Sequence, residues 1–271
     1  MAAAPGPDTP LDGRHVLVTR PEAQAGAFCA MLEQAGARVT RFPVIEIRGP
    51  RDPSGLRAAL QGLAAYDIAV FVSANAVRRV VPEALARGPW PPGLRAAAIG
   101  ASTARELAAQ GLAPDIVPER RFDSEALLAT DALQSVEGLR VVVFRGDGGR
   151  EQLASTLRSR GAEVTHVEAY RRALPEIDPR QLRASLEAGG IDVVTVTSGE
   201  SLQNLVKMLG PVTGETLWRT RLVVGAARVA ERARELGFRA DVVTAEDPTD
   251  AAMFRAVVGC LGGCEGSGLS G

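Results

Sequence analysis

Short apolar runs alternate with amphipathic stretches along most of this chain. The runs begin near Arg14, Asp67, Arg95, Leu139, Asp192 and Thr220. Runs such as VVVF and DVVTV are apolar at successive positions rather than at every second one, which predicts parallel strands buried on both faces. Segments such as ARELAAQG (Ala104–Gly111) and EQLASTLRSRG (Glu151–Gly161) follow, with apolar residues three and four apart, the spacing of an amphipathic helix. Gly36, Gly111, Gly161 and Gly237 stand at helix ends, where a left-handed residue closes the last turn. The alternation predicts an α/β fold of parallel sheets flanked by helices.

The pattern also repeats. VLVTR (Val16–Arg20) aligns with VVVFR (Val141–Arg145), AGARVT (Ala35–Thr40) with RGAEVT (Arg160–Thr165), and DIAVFVSANAV (Asp67–Val77) with DVVTVTSGESL (Asp192–Leu202), all at an offset of 125. AIGASTARELAAQG (Ala98–Gly111) aligns with VVGAARVAERARELG (Val223–Gly237) with one slip. Self-similarity of this kind indicates two homologous halves, about 14–122 and 139–247. RFPVIEIRGP (Arg41–Pro50) and HVEAYRRALPE (His166–Glu176) occupy equivalent places and break the alternation with extended, proline-ended sequence. They read as two chain crossings, at about 42–50 and 167–176, that serve as hinges. The halves would then exchange their first βα units, giving one lobe of residues 14–41 plus 175–260 and another of 45–169. Residues 1–13 and 261–271, rich in Pro, Gly, Ala and Ser, read as a disordered leader and tail.

Composition narrows the function. The chain has 271 residues, 46% of them hydrophobic, and a net charge of −1, which argues against general nucleic-acid binding. No run of 18 apolar residues occurs, so no membrane span is expected. The basic residues number 31, and Lys207 is the sole lysine; genome composition accounts for that bias, and arginine forks also suit carboxylates and phosphates. Three cysteines, Cys29, Cys260 and Cys264, make an odd count that fits a reducing cytoplasm. Cys260 and Cys264 lack the His or Cys companions of a metal site.

Ligands of open parallel sheets bind beyond the carboxyl ends of the strands. Those ends carry Arg20; Ser73 and Asn75; Ser102 and Thr103; Arg145, Gly146 and Gly148; and Ser198 and Gly199. All precede helices, so the set reads either as helix caps or as backbone N–H groups gathered in a cleft for an anionic ligand. RGDGGR (Arg145–Arg150) has neither P-loop nor GxGxxG spacing. Neither histidine, His15 or His166, belongs to a catalytic motif, and both read as structural. Tyr170 in VEAYRR is one of only two tyrosines, and its residues alone leave it as a strand filler or a chemical group.

Taken together, VLVTRP, FVSANAV, AIGASTARELAAQG, DSEALLA, FRGDGGREQLASTLRSRGAEV, VEAYRR and VTVTSGESLQNL resemble the bacterial uroporphyrinogen-III synthase family over about 14–255. The resemblance implies two α/β lobes joined by a two-stranded β-ladder. It implies closure of hydroxymethylbilane, a linear tetrapyrrole with eight carboxylates, to uroporphyrinogen III with ring-D inversion and loss of water. It also implies no cofactor, a cytoplasmic monomer, and transient contact with the upstream hydroxymethylbilane synthase. Tyr170 matches the family's catalytic tyrosine, a phenol placed to hydrogen-bond the departing hydroxyl. Ser73, Thr103 and Ser198 match cleft hydroxyls. Asn75 stands where some relatives carry arginine. Ala226, Ala227 and Arg228 replace hydroxyl residues, so Arg228 either meets a carboxylate or is solvated. Two other readings stay open: a non-catalytic binding module on the same scaffold, and a doubly wound enzyme of anionic sugars or nucleotide phosphates.

Overall fold

The computed structural model describes residues 9–119, 123–148, 151–210 and 214–262. The leader up to residue 8, Gly149 and Arg150 of RGDGGR, Cys264 and the tail from 263 lie outside the described residues. Among the described residues there are ten strands: β1 His15–Val18, β2 Arg38–Arg41, β3 Glu46–Arg48, β4 Ile68–Phe71, β5 Arg95–Ala98, β6 Arg140–Gly146, β7 Glu163–Ala173, β8 Val193–Val196, β9 Arg221–Val224 and β10 Val242–Thr244. The helices are α1 Glu22–Gln34, α2 Ser54–Gln61, α3 Ala74–Leu85, α4 Ala101–Ala109, α5 Ser124–Leu128, α6 Asp131–Gln134, α7 Gln152–Ser159, α8 Arg180–Glu187, α9 Gly199–Leu209, α10 Gly214–Trp218, α11 Ala227–Glu235 and α12 Asp250–Gly262. The six predicted strand starts fall within one residue of β1, β4, β5, β6, β8 and β9. Gly36, Gly111, Gly161 and Gly237 all hold positive φ.

The chain divides into two compact units, Met1–Glu46 with Ala173–Gly271, and Ile47–Arg172. The first contains a sheet ordered β10-β9-β8-β1-β2, parallel throughout. The second contains β3-β7-β6-β4-β5, in which β4 to β7 pair in parallel. Each sheet thus joins the first βα unit of one sequence half to the later strands of the other.

Burial explains the unbroken apolar runs. In β4, Ala69 and Phe71 enter one core cluster, with Phe144 and Val80, while Ile68 and Val70 enter another on the opposite face, with Leu127 and Leu157. A strand covered on both faces has no polar side to alternate. The first unit packs Val16, Val18, Phe28, Leu32, Met253 and Val257 together.

Two details depart from expectation. Leu11 is fully buried and its N–H donates to the Ala35 carbonyl at 2.9 Å, so residues 9–13 belong to the first unit rather than to a disordered leader. A single large apolar side chain outweighed the Pro and Gly around it, since burying one contributes about 1.5–3 kcal/mol. Residues 261–262, expected in the disordered tail, end α12, and Leu261 is buried in the first unit's core. The stretch at 167–176, read as one strand of a β-ladder, is mostly the second half of β7, an 11-residue strand with β3 next to it.

Candidate active site

The site grows from an irregularity in β7. The ladder between β6 and β7 runs regularly from Arg140 opposite Glu163 to Arg145 opposite Glu168, and then Gly146 pairs with Tyr170. Ala169 is therefore an extra residue, a bulge that re-aims the side chains beyond it. Val167, Ala169 and Tyr170 are all buried, a run that simple alternation would forbid. The Asp147 N–H donates to the Tyr170 carbonyl at 3.0 Å and fixes the bulge.

Re-aimed, the Tyr170 phenol lies across Gly146. A Cβ added to Gly146 would fall 2.7 Å from Tyr170 Cζ and 3.0 Å from its oxygen, so only glycine leaves room for the ring there. Ser73 supplies a partner. Its Oγ accepts the Ala76 N–H at 3.2 Å as the N-cap of α3 and donates to the Tyr170 oxygen at 3.0 Å. With that oxygen already accepting, the phenol's own proton is free to be donated. Replacing Ser73 by Ala removes both roles. We expect a loss of about 1 kcal/mol of stability, read as a melting temperature lower by about 2–4 °C, with a fall in kcat smaller than that caused by removing the phenol.

These groups line a cavity of about 220 Å³ together with Arg145, Asp147, Gly148, His166 and Arg172. Arg145 is held by its own loop: Nε donates to the Gly148 carbonyl at 3.2 Å and Nη1 to Glu151 Oε1 at 2.9 Å. Glu151 Oε2 also lies 3.6 Å from His166 Nδ1. Burial lowers the His166 pKa below its ordinary value; Glu151 opposes that, while Arg145 and Arg158 add to it. The Glu151 carboxyl is lowered chiefly by the Arg145 hydrogen bond.

Of the residues singled out in the sequence, the cavity collects Tyr170, Ser73, Arg145, Gly146 and Gly148. Asn75, Ser102 and Thr103 lie in the same unit, in the first turns of α3 and α4. Ser102 is exposed, whereas Thr103 is 1% exposed. At α4 the N-cap is Gly100, with no side-chain cap, which leaves the first N–H groups for a ligand. The remaining residues lie in the other unit. Ser198 caps α9 by accepting the Ser201 N–H at 3.1 Å, and Gly199 begins that helix. Arg228 is exposed in the first turn of α11, whose N-cap Ala226 likewise lacks a side-chain cap. Arg20 departs from expectation: its guanidinium pairs with Asp250, donates to the Pro248 carbonyl at 3.0 Å and covers the Phe28 ring at 4.7 Å. Those contacts commit it to holding α1 and α12 in place, and it does not line the cavity.

Sequence reading did not place His166 at the cavity. Its signal was register: it pairs with Val143 of β6, and Val143 faces the same cavity. His15, also read as structural, is 6% exposed and bonds Thr40 Oγ1 at 2.8 Å. Among the described residues, no group of three or more His, Cys, Asp or Glu side chains could hold a metal ion, and no helix is long and apolar enough to cross a membrane.

Two parallel-sheet units with exchanged βα segments, one of them with a phenol and guanidinium pocket at its strand ends, define the class: a small α/β enzyme. The profile of the family described as uroporphyrinogen-III synthase HemD matches residues 27–255. The chain is 35% identical to the uroporphyrinogen-III synthase of Salmonella typhimurium and 33% identical to that of Escherichia coli; each match covers 89% of this chain and 99% of the relative. The fold is similar to a uroporphyrinogen III synthase from Thermus thermophilus, at a TM-score of 0.56 and 23% identity over 92% of this chain and 99% of that one. It is equally similar to the synthetase of Helicobacter pylori, at a TM-score of 0.56 and 14% identity over 91% and 99%. This chain belongs to the uroporphyrinogen-III synthase family.

Proposed function

We propose that the protein cyclises hydroxymethylbilane to uroporphyrinogen III in tetrapyrrole biosynthesis, with Tyr170 as the group that assists departure of the hydroxyl. The observation that carries the role of Tyr170 is the Ser73 bond: Ser73 donates to the phenol oxygen at 3.0 Å, so the phenol proton points to a partner other than Ser73. The substrate's own pyrrole nitrogen expels the hydroxyl, and a hydrogen bond to the departing oxygen lowers that barrier. The resulting electrophile is attacked by the substituted carbon of the last ring to give a spiro intermediate. Fragmentation and reclosure at that ring's other, unsubstituted α-carbon, across its nitrogen, invert the ring. One proton leaves that carbon and one joins the hydroxyl, so the net loss is water.

Magnitude limits what the cavity can hold. Its volume of about 220 Å³ lies below the ~300–1,000 Å³ of sites for drug-sized ligands. It therefore suits the reacting end of a tetrapyrrole, and most of the substrate lies outside it. Arg145 and the uncapped N-terminus of α4 suit the carboxylates of that end. Asn75, Ser198, Gly199 and Arg228 remain as outlying substrate contacts on this reading. The protein works as a cytoplasmic monomer without a cofactor, and it receives its substrate from hydroxymethylbilane synthase.

The spontaneous reaction closes the ring without inversion, so the isomer formed is diagnostic. Hydroxymethylbilane generated in place by its own synthase is expected to give mostly isomer III when this protein is present, as read by chromatography of the oxidised products. A folded protein that leaves only isomer I, at the uncatalysed rate, would reduce the chain to a binding module.

A further inference from the structure

Arg145 is a half-buried cation of the cavity, with a side chain 15% exposed, yet its charge is already shared with Glu151, whose side chain is 67% exposed. Glu151 stands between two bases. One carboxylate oxygen meets Arg145 at 2.9 Å and the other lies 3.6 Å from His166 Nδ1. Arg145 comes from β6, His166 from β7, where it pairs with Val143 two residues before Arg145, and Glu151 from the turn before α7. The other charges around His166 are Arg158, on α7, and two further residues lining the cavity, Asp147 after β6 and Arg172 on β7. A substrate carboxylate approaching Arg145 has the same chemistry as Glu151 and must compete with it.

We infer that Glu151 is an internal stand-in for a substrate carboxylate, and that His166 is a positioning residue that draws Glu151 off Arg145 when it is protonated. This rests on reading the cavity as the substrate site. Neutral His166 offers Glu151 no charge, so Glu151 stays with Arg145 and the pocket is less attractive to anions. Imidazolium competes for Glu151 and releases the guanidinium. The burial that keeps His166 neutral at neutral pH sets the resting state to the closed arrangement. Lowering the pH opens it.

The test uses the full chain in three forms: unaltered, His166→Gln and Glu151→Gln. The two histidines of the chain give two imidazole Cε1–H proton resonances, and the His166→Gln protein assigns them. In Glu151→Gln the midpoint of His166 moves further down, because the carboxylate that favours its charged form is gone, while His15 serves as the unchanged reference. KM is then measured from about pH 7.5 to about pH 5, across the range in which imidazole gains charge. The unaltered protein shows KM falling by about two- to five-fold toward acid, the size expected of one partly exposed ion pair. His166→Gln holds KM flat at the neutral value. Glu151→Gln holds it flat at the lower one.

An unmoved His166 midpoint in Glu151→Gln would overturn the coupling. An acid-side fall of KM that survives in Glu151→Gln would show His166 meeting the substrate directly and would equally overturn it. Failure of the functional reading looks different: the unaltered protein would form no isomer III, whatever the resonances do.

Discussion

Replacing Tyr170 by Phe is expected to lower kcat by about 10²-fold, the lower end of what one proton-handling group contributes. The lower end applies because the pyrrole nitrogen drives expulsion of the hydroxyl without help. KM should change little, since the ring and the cavity wall remain. Stability should fall by only about 1 kcal/mol, the usual net value of one hydrogen bond, here the one from Ser73 at 3.0 Å. As catalysis slows, uncatalysed closure takes a larger share of the substrate, so isomer I should rise in the product. Single-turnover kinetics with isomer separation checks both. A kcat within about two-fold of the unaltered enzyme would return Tyr170 to a packing role, for which its 3% exposure is sufficient explanation.

Gly146→Ala should be nearly as damaging, although it adds one methyl group. The new Cβ would sit 2.7 Å from Tyr170 Cζ and 2.9 Å from Cε2. The ring cannot withdraw freely, because it belongs to a core cluster that includes Phe71, Phe144 and Leu107. Overpacking of this kind costs about 1–3 kcal/mol, and displacing the phenol by even a fraction of an ångström misaligns its proton. We expect kcat to fall by about 10²-fold and the melting temperature by about 2–8 °C. The discriminating measurement is the double variant. In the Tyr170→Phe background, Gly146→Ala should cost little further kcat, because both substitutions act through one group. Additive losses in kcat would mean that Gly146 serves the reaction by some route other than Tyr170.

Much of this arrangement was legible because its signals are periodic. The fixed offset of 125 tied β1 to β6 and β4 to β8, and unbroken apolar runs located the central strands. The site was legible where chemistry coincides with position, as at Ser73 and Gly146 after strand ends. It was hidden where a local irregularity decides the outcome. Nothing in VEAYRR announces that Ala169 is a bulge, and without that extra residue Tyr170 would project from the opposite face. Arg20 and Arg145 occupy equivalent positions in the two halves, yet Asp250 and Pro248, more than two hundred residues away, claim the first. His166 read as structural because its neighbours Glu151 and Arg145 come from other elements. Long-range partners leave no local pattern.

The exchange of βα units has a consequence for how the polypeptide is made. The second unit is one continuous stretch, Ile47–Arg172, and can close as soon as its last strand has been synthesised. The first cannot. β1 must pair with β8, and His15 finds the Asp192 carboxylate only across 177 residues of chain. Until that strand emerges, one edge of β1 stays unpaired while an entire second unit is translated and folds. On the ribosome, the unit that holds the cavity is thus completed first, while the other is still missing its later strands. The flank of β1 that awaits β8 is the surface most exposed to wrong pairing, and so to aggregation, during synthesis.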